Sequence, residues 1–134
     1  KEVVSMQTPI DIYFLEKLKK LEEKRYLDNR KYKKYYTDLS EIFRGYLEHR
    51  FGVPALESAT HDLKILLKDI QIQEKWLIAF LRNCDLVKFA KGEPVQEASV
   101  LFLDNIRAFI KYHKTKPLEK VSADFNIKDE GSIK

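Results

Sequence analysis

The chain has 134 residues, which fits one domain with a single buried core. Hydrophobic residues make up 44% and charged residues 34%, with four glycines and four prolines, so the chain is globular and well solvated and a turn-rich all-β fold is disfavoured. The net charge of +4 suits an anionic lipid surface, an acidic partner or a nucleic acid and selects none of them, since acidic and basic residues are interleaved as on a solvated helix surface.

Residues 1–8 read as a linker of the kind that follows a membrane anchor, and the start at Lys1 rather than Met suggests a piece of a longer protein. Thr8-Pro9-Ile10-Asp11 reads as a helix start: Thr8 can cap, Pro9 suits the first helical position, and Asp11 complements the helix N-terminus. Ile10, Phe14, Leu18 and Leu21 then recur at helical spacing, and the helix is expected to fade near Leu27. Asp28-Asn29 reads as a turn and a cap for a second helix. That helix carries Tyr32, Tyr35, Tyr36, Leu39, Ile42, Phe43, Tyr46, Leu47 and Phe51 on one face. Gly52 stands where a left-handed residue ends a helix, and Pro54 prevents continuation.

Ser58 or Thr60 can cap a short third helix with Leu63, Leu66, Leu67 and Ile70 on its apolar side. Residues 71–74 read as a polar break. A fourth helix carries Trp76, Leu77, Phe80, Leu81, Cys84 and Val87, and is expected to end around Phe89-Ala90-Lys91 with Gly92 as the stop. Pro94 opens a fifth helix with Val95, Ala98, Phe102, Ile106, Phe109 and Ile110 as its buried stripe. The expected fold is all-α: a compact bundle of about five helices with short connections over residues 9–112, followed by a polar, mobile tail over 113–134.

No constellation favours catalysis. His49, His61 and His113 have no His or Cys partner at zinc spacing, so solvent-exposed structure is the better reading for them. Cys84, the only cysteine, lies on an apolar helix face and reads as an inert buried thiol in a reducing compartment. Ser40 and Ser99 lie in helical patterns without a nucleophile elbow, and neither a phosphate-binding loop nor a dinucleotide fingerprint occurs. Pairs such as Glu22-Glu23 read as a charged helix surface.

Two blocks stand out. Lys24, Arg25, Arg30, Lys31, Lys33 and Lys34 interleave with Tyr26, Tyr32, Tyr35 and Tyr36, a pattern compatible with nucleic-acid binding. The spacing favours core tyrosines with a basic rim, which could also face an anionic membrane leaflet. Asp85-Leu86-Val87-Lys88-Phe89-Ala90-Lys91-Gly92-Glu93-Pro94 reads first as a helix end with lysines on the macrodipole, and second as a partner-binding knob.

The blocks Tyr35–Arg50, Phe51–Glu57 and Asp85–Pro94, in this order, resemble the cytoplasmic C-terminal region of BatD-like membrane proteins of the aerotolerance (Bat) operons common in Bacteroidetes. The likeness covers roughly residues 9–112. It departs at Ala59-Thr60-His61-Asp62, where two adjacent threonines usually precede the acidic residue, and at Arg25-Tyr26-Leu27, where a Leu-Trp is common. The resemblance implies a parent with a membrane span and this domain on the cytoplasmic side of the inner membrane. It also implies stress tolerance and cell-envelope function, with a MoxR-type AAA ATPase and von Willebrand A proteins encoded in the same operon.

The expected function is therefore a non-enzymatic protein-interaction module without cofactor, metal or small-molecule substrate, docking one of those operon partners. Arg44, Arg50, Lys88, Phe89 and Lys91 are the expected exposed contact residues. The rival reading is a helical nucleic-acid-binding domain that uses the basic-tyrosine cluster at residues 24–36.

Overall fold

A computed structural model describes residues 9–89, 92–94 and 96–114. Among these are five helices and no strand: α1 Pro9–Glu23, α2 Tyr32–Phe51, α3 Thr60–Asp69, α4 Lys75–Lys88 and α5 Gln96–Lys114. The expected all-α bundle is present. The Thr8 cap, the linker 1–8, Val95 and residues 115–134 lie outside the described residues.

α2 is the spine, packed against α1, α4 and α5; α1 also lies on α5, and α4 contacts both α3 and α5. Its stripe of Tyr35, Tyr36, Leu39, Ile42, Phe43, Tyr46 and Leu47 is buried throughout. Phe43 is the hub. Its ring meets Trp76 at 5.9 Å, Phe80 at 6.0 Å and Phe109 at 5.5 Å, each edge-on, the geometry that ring quadrupoles prefer. Gly45 is buried in mid-helix because α1 crosses there: a Cβ would stand 3.1 Å from the Phe14 ring. α2 ends as expected, with Gly52 left-handed (φ 71°) and its N–H on the Glu48 carbonyl.

Two tyrosine hydroxyls join α2 to α5. Tyr35 donates to the Ser99 carbonyl at 2.7 Å, and the Tyr36 hydroxyl pairs with Ser99 Oγ at 2.6 Å. Ser99 is fully buried on α5, a position that the apolar stripe did not reveal. Tyr36→Phe is expected to lower the unfolding free energy by about 1 kcal/mol in urea denaturation, with helix content unchanged, because it removes one buried hydrogen bond.

Several expected details are corrected. Ile10 is exposed, and Asp11 takes the buried position beside it. α1 stops at Glu23 rather than near Leu27. The chain then turns through Arg25 and Arg30, both at positive φ. Lys31 N–H reaches the Tyr26 carbonyl and Arg30 N–H the Leu27 carbonyl, the pairing of a Schellman helix end with Arg30 at the left-handed position usually held by glycine. Asp28 and Asn29 serve that turn, on the Arg25 guanidinium and carbonyl respectively, and do not cap α2, whose N-cap is Lys31.

α3 ends in the same way. Gln71 is left-handed (φ 62°), and Ile72 N–H returns to the Leu67 carbonyl. Ile72 is the apolar residue that such an end buries, so the expected polar break at 71–74 contains a core side chain. α4 ends at Lys88 with Phe89 as its cap residue, and Gly92, at φ 137°, stands beyond that stop. α5 starts at Gln96, two residues after Pro94, and runs to Lys114, two residues past the expected end.

Candidate functional site

A groove of about 870 Å³ lies between α2, the α2–α3 connection and the C-terminal end of α4. Lys33, Tyr36, Thr37, Ser40, Glu41 and Arg44 line it from α2. Their spacing of three and four makes one helix face a wall of about 16 Å at 1.5 Å per residue. Asp85, Val87, Lys88 and Phe89 form the facing wall, with Leu56, Ser58 and Thr60 at the connection. The sequence blocks around Tyr35–Glu57 and Asp85–Pro94, far apart in the chain, thus share one surface feature.

Arg44 organises this region. Its Nε donates to Ser40 Oγ at 3.0 Å, and its Nη1 donates to the Ala55 carbonyl at 3.0 Å and the Ser58 carbonyl at 2.5 Å. The guanidinium latches the α2–α3 connection against α2. Burial lowers its pKa, and the neighbouring Cys84 and Asp85 oppose that shift. Thr60 Oγ1 donates to Asp85 Oδ1 at 3.0 Å, tying the start of α3 to α4. Neither expected cap acts at α3: Ala59 is its N-cap, Thr60 is its first residue, and Ser58 donates to the Pro54 carbonyl.

Arg44 and Arg50, expected to be exposed, are half-buried and already engaged by the protein. The Arg50 guanidinium donates to the His113 carbonyl and joins the end of α2 to α5. Lys88 and Phe89 are exposed as expected, Phe89 by 59%, with the ammonium of Lys88 5.5 Å from the ring centre. Lys91 lies outside the described residues. Leu56, at 49% exposed, is a second apolar edge of the groove. Sequence reasoning placed Asp85 in a candidate block without a role of its own and did not assign Ser40, Leu56 or Thr60 to a site. The i, i+4 spacing of Ser40 and Arg44 was a usable signal; the others depend on the tertiary meeting of α3 and α4.

The groove is poor in activated groups. Burial pushes the Cys84 thiol up to about 12, against the pull of Arg44 and a hydrogen bond from Ser40. A thiol so held stays protonated at neutral pH. His61 sits at the exposed rim. Among the described residues, no group of three or more His, Cys, Asp or Glu side chains could hold a metal ion.

Burial also raises Tyr35, Tyr36 and Tyr46, Tyr36 to about 12. The folded chain therefore keeps protons that the unfolded chain releases from Cys near 9 and from Tyr near 10. Stability from these groups is full below pH 9 and falls as the pH rises toward 12. Urea midpoints measured from pH 8 to pH 12 are expected to decline across that window; a flat profile would contradict the burial of these four groups.

The basic-tyrosine cluster is dispersed. Tyr35 and Tyr36 are in the core and Tyr26 and Tyr32 are half-buried. Lys24 pairs with Asp38, Arg25 with Asp28 and Arg30 with Glu93. A second groove of about 710 Å³ lies between the ends of α2 and α5 and the α3–α4 connection, lined by Phe51, Trp76, Phe109 and Tyr112 with Gln71 and Glu74. No family model, curated protein or solved structure matches the chain.

Proposed function

We propose that this chain is a non-enzymatic protein-interaction module that docks a partner in the groove between α2, α3 and α4. One observation carries the reading. The sequence blocks that resemble the cytoplasmic region of BatD-like proteins line the same groove, where Phe89 and Leu56 expose apolar surface beside Lys33 and Lys88. An exposed aromatic beside cations is the kind of anchor that protein interfaces use. The raised Cys84 thiol weighs against nucleophilic chemistry in the groove.

On this reading the chain is the cytoplasmic domain of a membrane-anchored Bat-type protein, and its partner is the MoxR-type ATPase or a von Willebrand A protein of the same operon. No helix among the described residues is long and apolar enough to cross a membrane; an anchor would belong to the parent chain. The nucleic-acid alternative is less well supported, because the tyrosines that would stack on bases are buried or half-buried and three of the cations are paired.

The test is direct binding of the purified operon ATPase and von Willebrand A proteins by calorimetry. One of them is expected to bind, and Phe89→Ala is expected to weaken it by about tenfold or more, the loss typical of an aromatic anchor. Unchanged affinity in that variant would remove the groove from the interface.

A further inference from the structure

We infer that the second groove, between the ends of α2 and α5 and the α3–α4 connection, is the docking site for a segment of this same chain, residues 117–121, with Leu118 and Val121 as its anchors. The inference is independent of the docking reading for the first groove.

The lining sets the chemistry of the occupant. Half-buried Phe51, Ile70 and Trp76 and exposed Ala108 and Tyr112 present apolar and aromatic surface to the groove. Trp76 Nε1 donates to Glu74 Oε1 at 2.5 Å, so the polar edge of the indole is satisfied and its ring is what an occupant meets. Among the described residues of the lining, Glu74 is the carboxylate and is that acceptor, and Arg50 is the guanidinium and donates to the His113 carbonyl. With both charges engaged and Gln71, Gln73 and Asn105 in the lining as polar groups, the groove fits apolar side chains rather than charged ones.

The end of α5 delivers the chain to this groove. In a continuing helix the His113 carbonyl would accept from the N–H of residue 117, but residue 117 is proline, which has no N–H and whose ring would press on that carbonyl. The Arg50 guanidinium takes the carbonyl instead. α5 runs to Lys114, with Tyr112 and His113 in the groove wall, and residues 115–134 follow from that point. The first apolar side chains after Pro117 are Leu118 and Val121. The α5 wall from Asn105 to His113 is about 12 Å long at about 1.5 Å per residue. Beyond Lys114, Leu118 has about 13 Å of extended chain and Val121 about 23 Å, at about 3.3 Å per residue, so a chain that turns back after Lys114 reaches the whole wall with these two side chains. A loop this short costs little to close. The tether also holds the segment at an effective concentration of about millimolar, which a second copy or a separate partner would have to supply free in solution.

The test uses the full ¹⁵N-labelled chain carrying Cys84→Ala and Ser122→Cys, with a nitroxide on the introduced thiol. Paramagnetic broadening is expected at the amides of Gln73, Trp76 and Asn105 and not at Lys33 or Arg44 of the first groove. Adding Leu118→Ser and Val121→Ser should remove most of it. A mixture of nitroxide-bearing ¹⁴N chain with ¹⁵N chain lacking the nitroxide should stay sharp. Trp76 is the only tryptophan, so its fluorescence reads the same groove with Cys84 in place. There, Leu118→Ser with Val121→Ser is expected to shift the emission to the red and to raise quenching by acrylamide, with helix content unchanged. Broadening that the serine pair leaves intact, or Trp76 quenching that it leaves unchanged, would overturn the inference. So would broadening in the mixture alone, which would assign the groove to a second copy.

Discussion

Phe43→Ala is expected to cost about 3–5 kcal/mol of unfolding free energy, the range for removing a buried aromatic ring. Phe43 is fully buried, and its ring bridges α2 to Trp76 and Phe80 of α4 and to Phe109 of α5. The cavity would open where three helices meet, so no single helix can shift to close it. A domain of this size commonly has about 5–15 kcal/mol in total, so the variant should lose a large share of its stability and melt at a clearly lower temperature. Thermal melts by circular dichroism with urea titration would check this. Phe43→Leu, which keeps most of the apolar volume, should recover a large part of the loss. A loss under about 1 kcal/mol for Phe43→Ala would mean that the three rings do not share one core.

Gly45→Leu is expected to have the second largest effect, in the opposite steric sense. A Cβ at Gly45 would stand 3.1 Å from Phe14 Cε1 and 3.4 Å from Cζ, and leucine adds three more carbons in the same direction. Phe14 is itself held edge-on by Tyr46 at 5.7 Å and is buried, so it has little room to yield. Overpacking of this kind costs about 1–3 kcal/mol, and more where α1 must lift from α2. Gly45→Ala is the informative partner. It gains about 1 kcal/mol of helix propensity against a contact that is only slightly too close, so its net effect should be small. Amide exchange would locate the damage: in Gly45→Leu, α1 should lose protection before α4 does.

The regular parts of the fold were legible because they obey local rules. The α2 stripe recurs every three or four residues, and Gly52-Val53-Pro54 ends it by backbone chemistry alone. The turns between helices were not legible, since their left-handed positions are filled by Arg30 and Gln71, which carry no such signal in sequence. Ile72 was hidden for the same reason: it is the buried partner of a helix end that did not announce itself.

The candidate site was half legible. Lys88 and Phe89 are exposed, as their place beyond the apolar stripe of α4 implied. Arg44 and Arg50 lie at the margin of the α2 stripe, and an arginine is long enough to reach carbonyls of the following connection or of α5. That choice between solvent and a distant carbonyl is made by tertiary packing. The meeting of Ser40, Thr60 and Asp85 in one groove likewise requires α3 and α4 to be placed first.

The central claim is that this groove is where the chain meets its partner. Its most direct test is site-specific photocrosslinking in cells, with a photoreactive phenylalanine placed at Phe89, at Leu56 and, as the control, at Leu101, which is exposed on α5. The account predicts an adduct with the operon ATPase or von Willebrand A protein from positions 89 and 56 and none from 101. An adduct with either protein from position 101, with positions 89 and 56 silent, would contradict it.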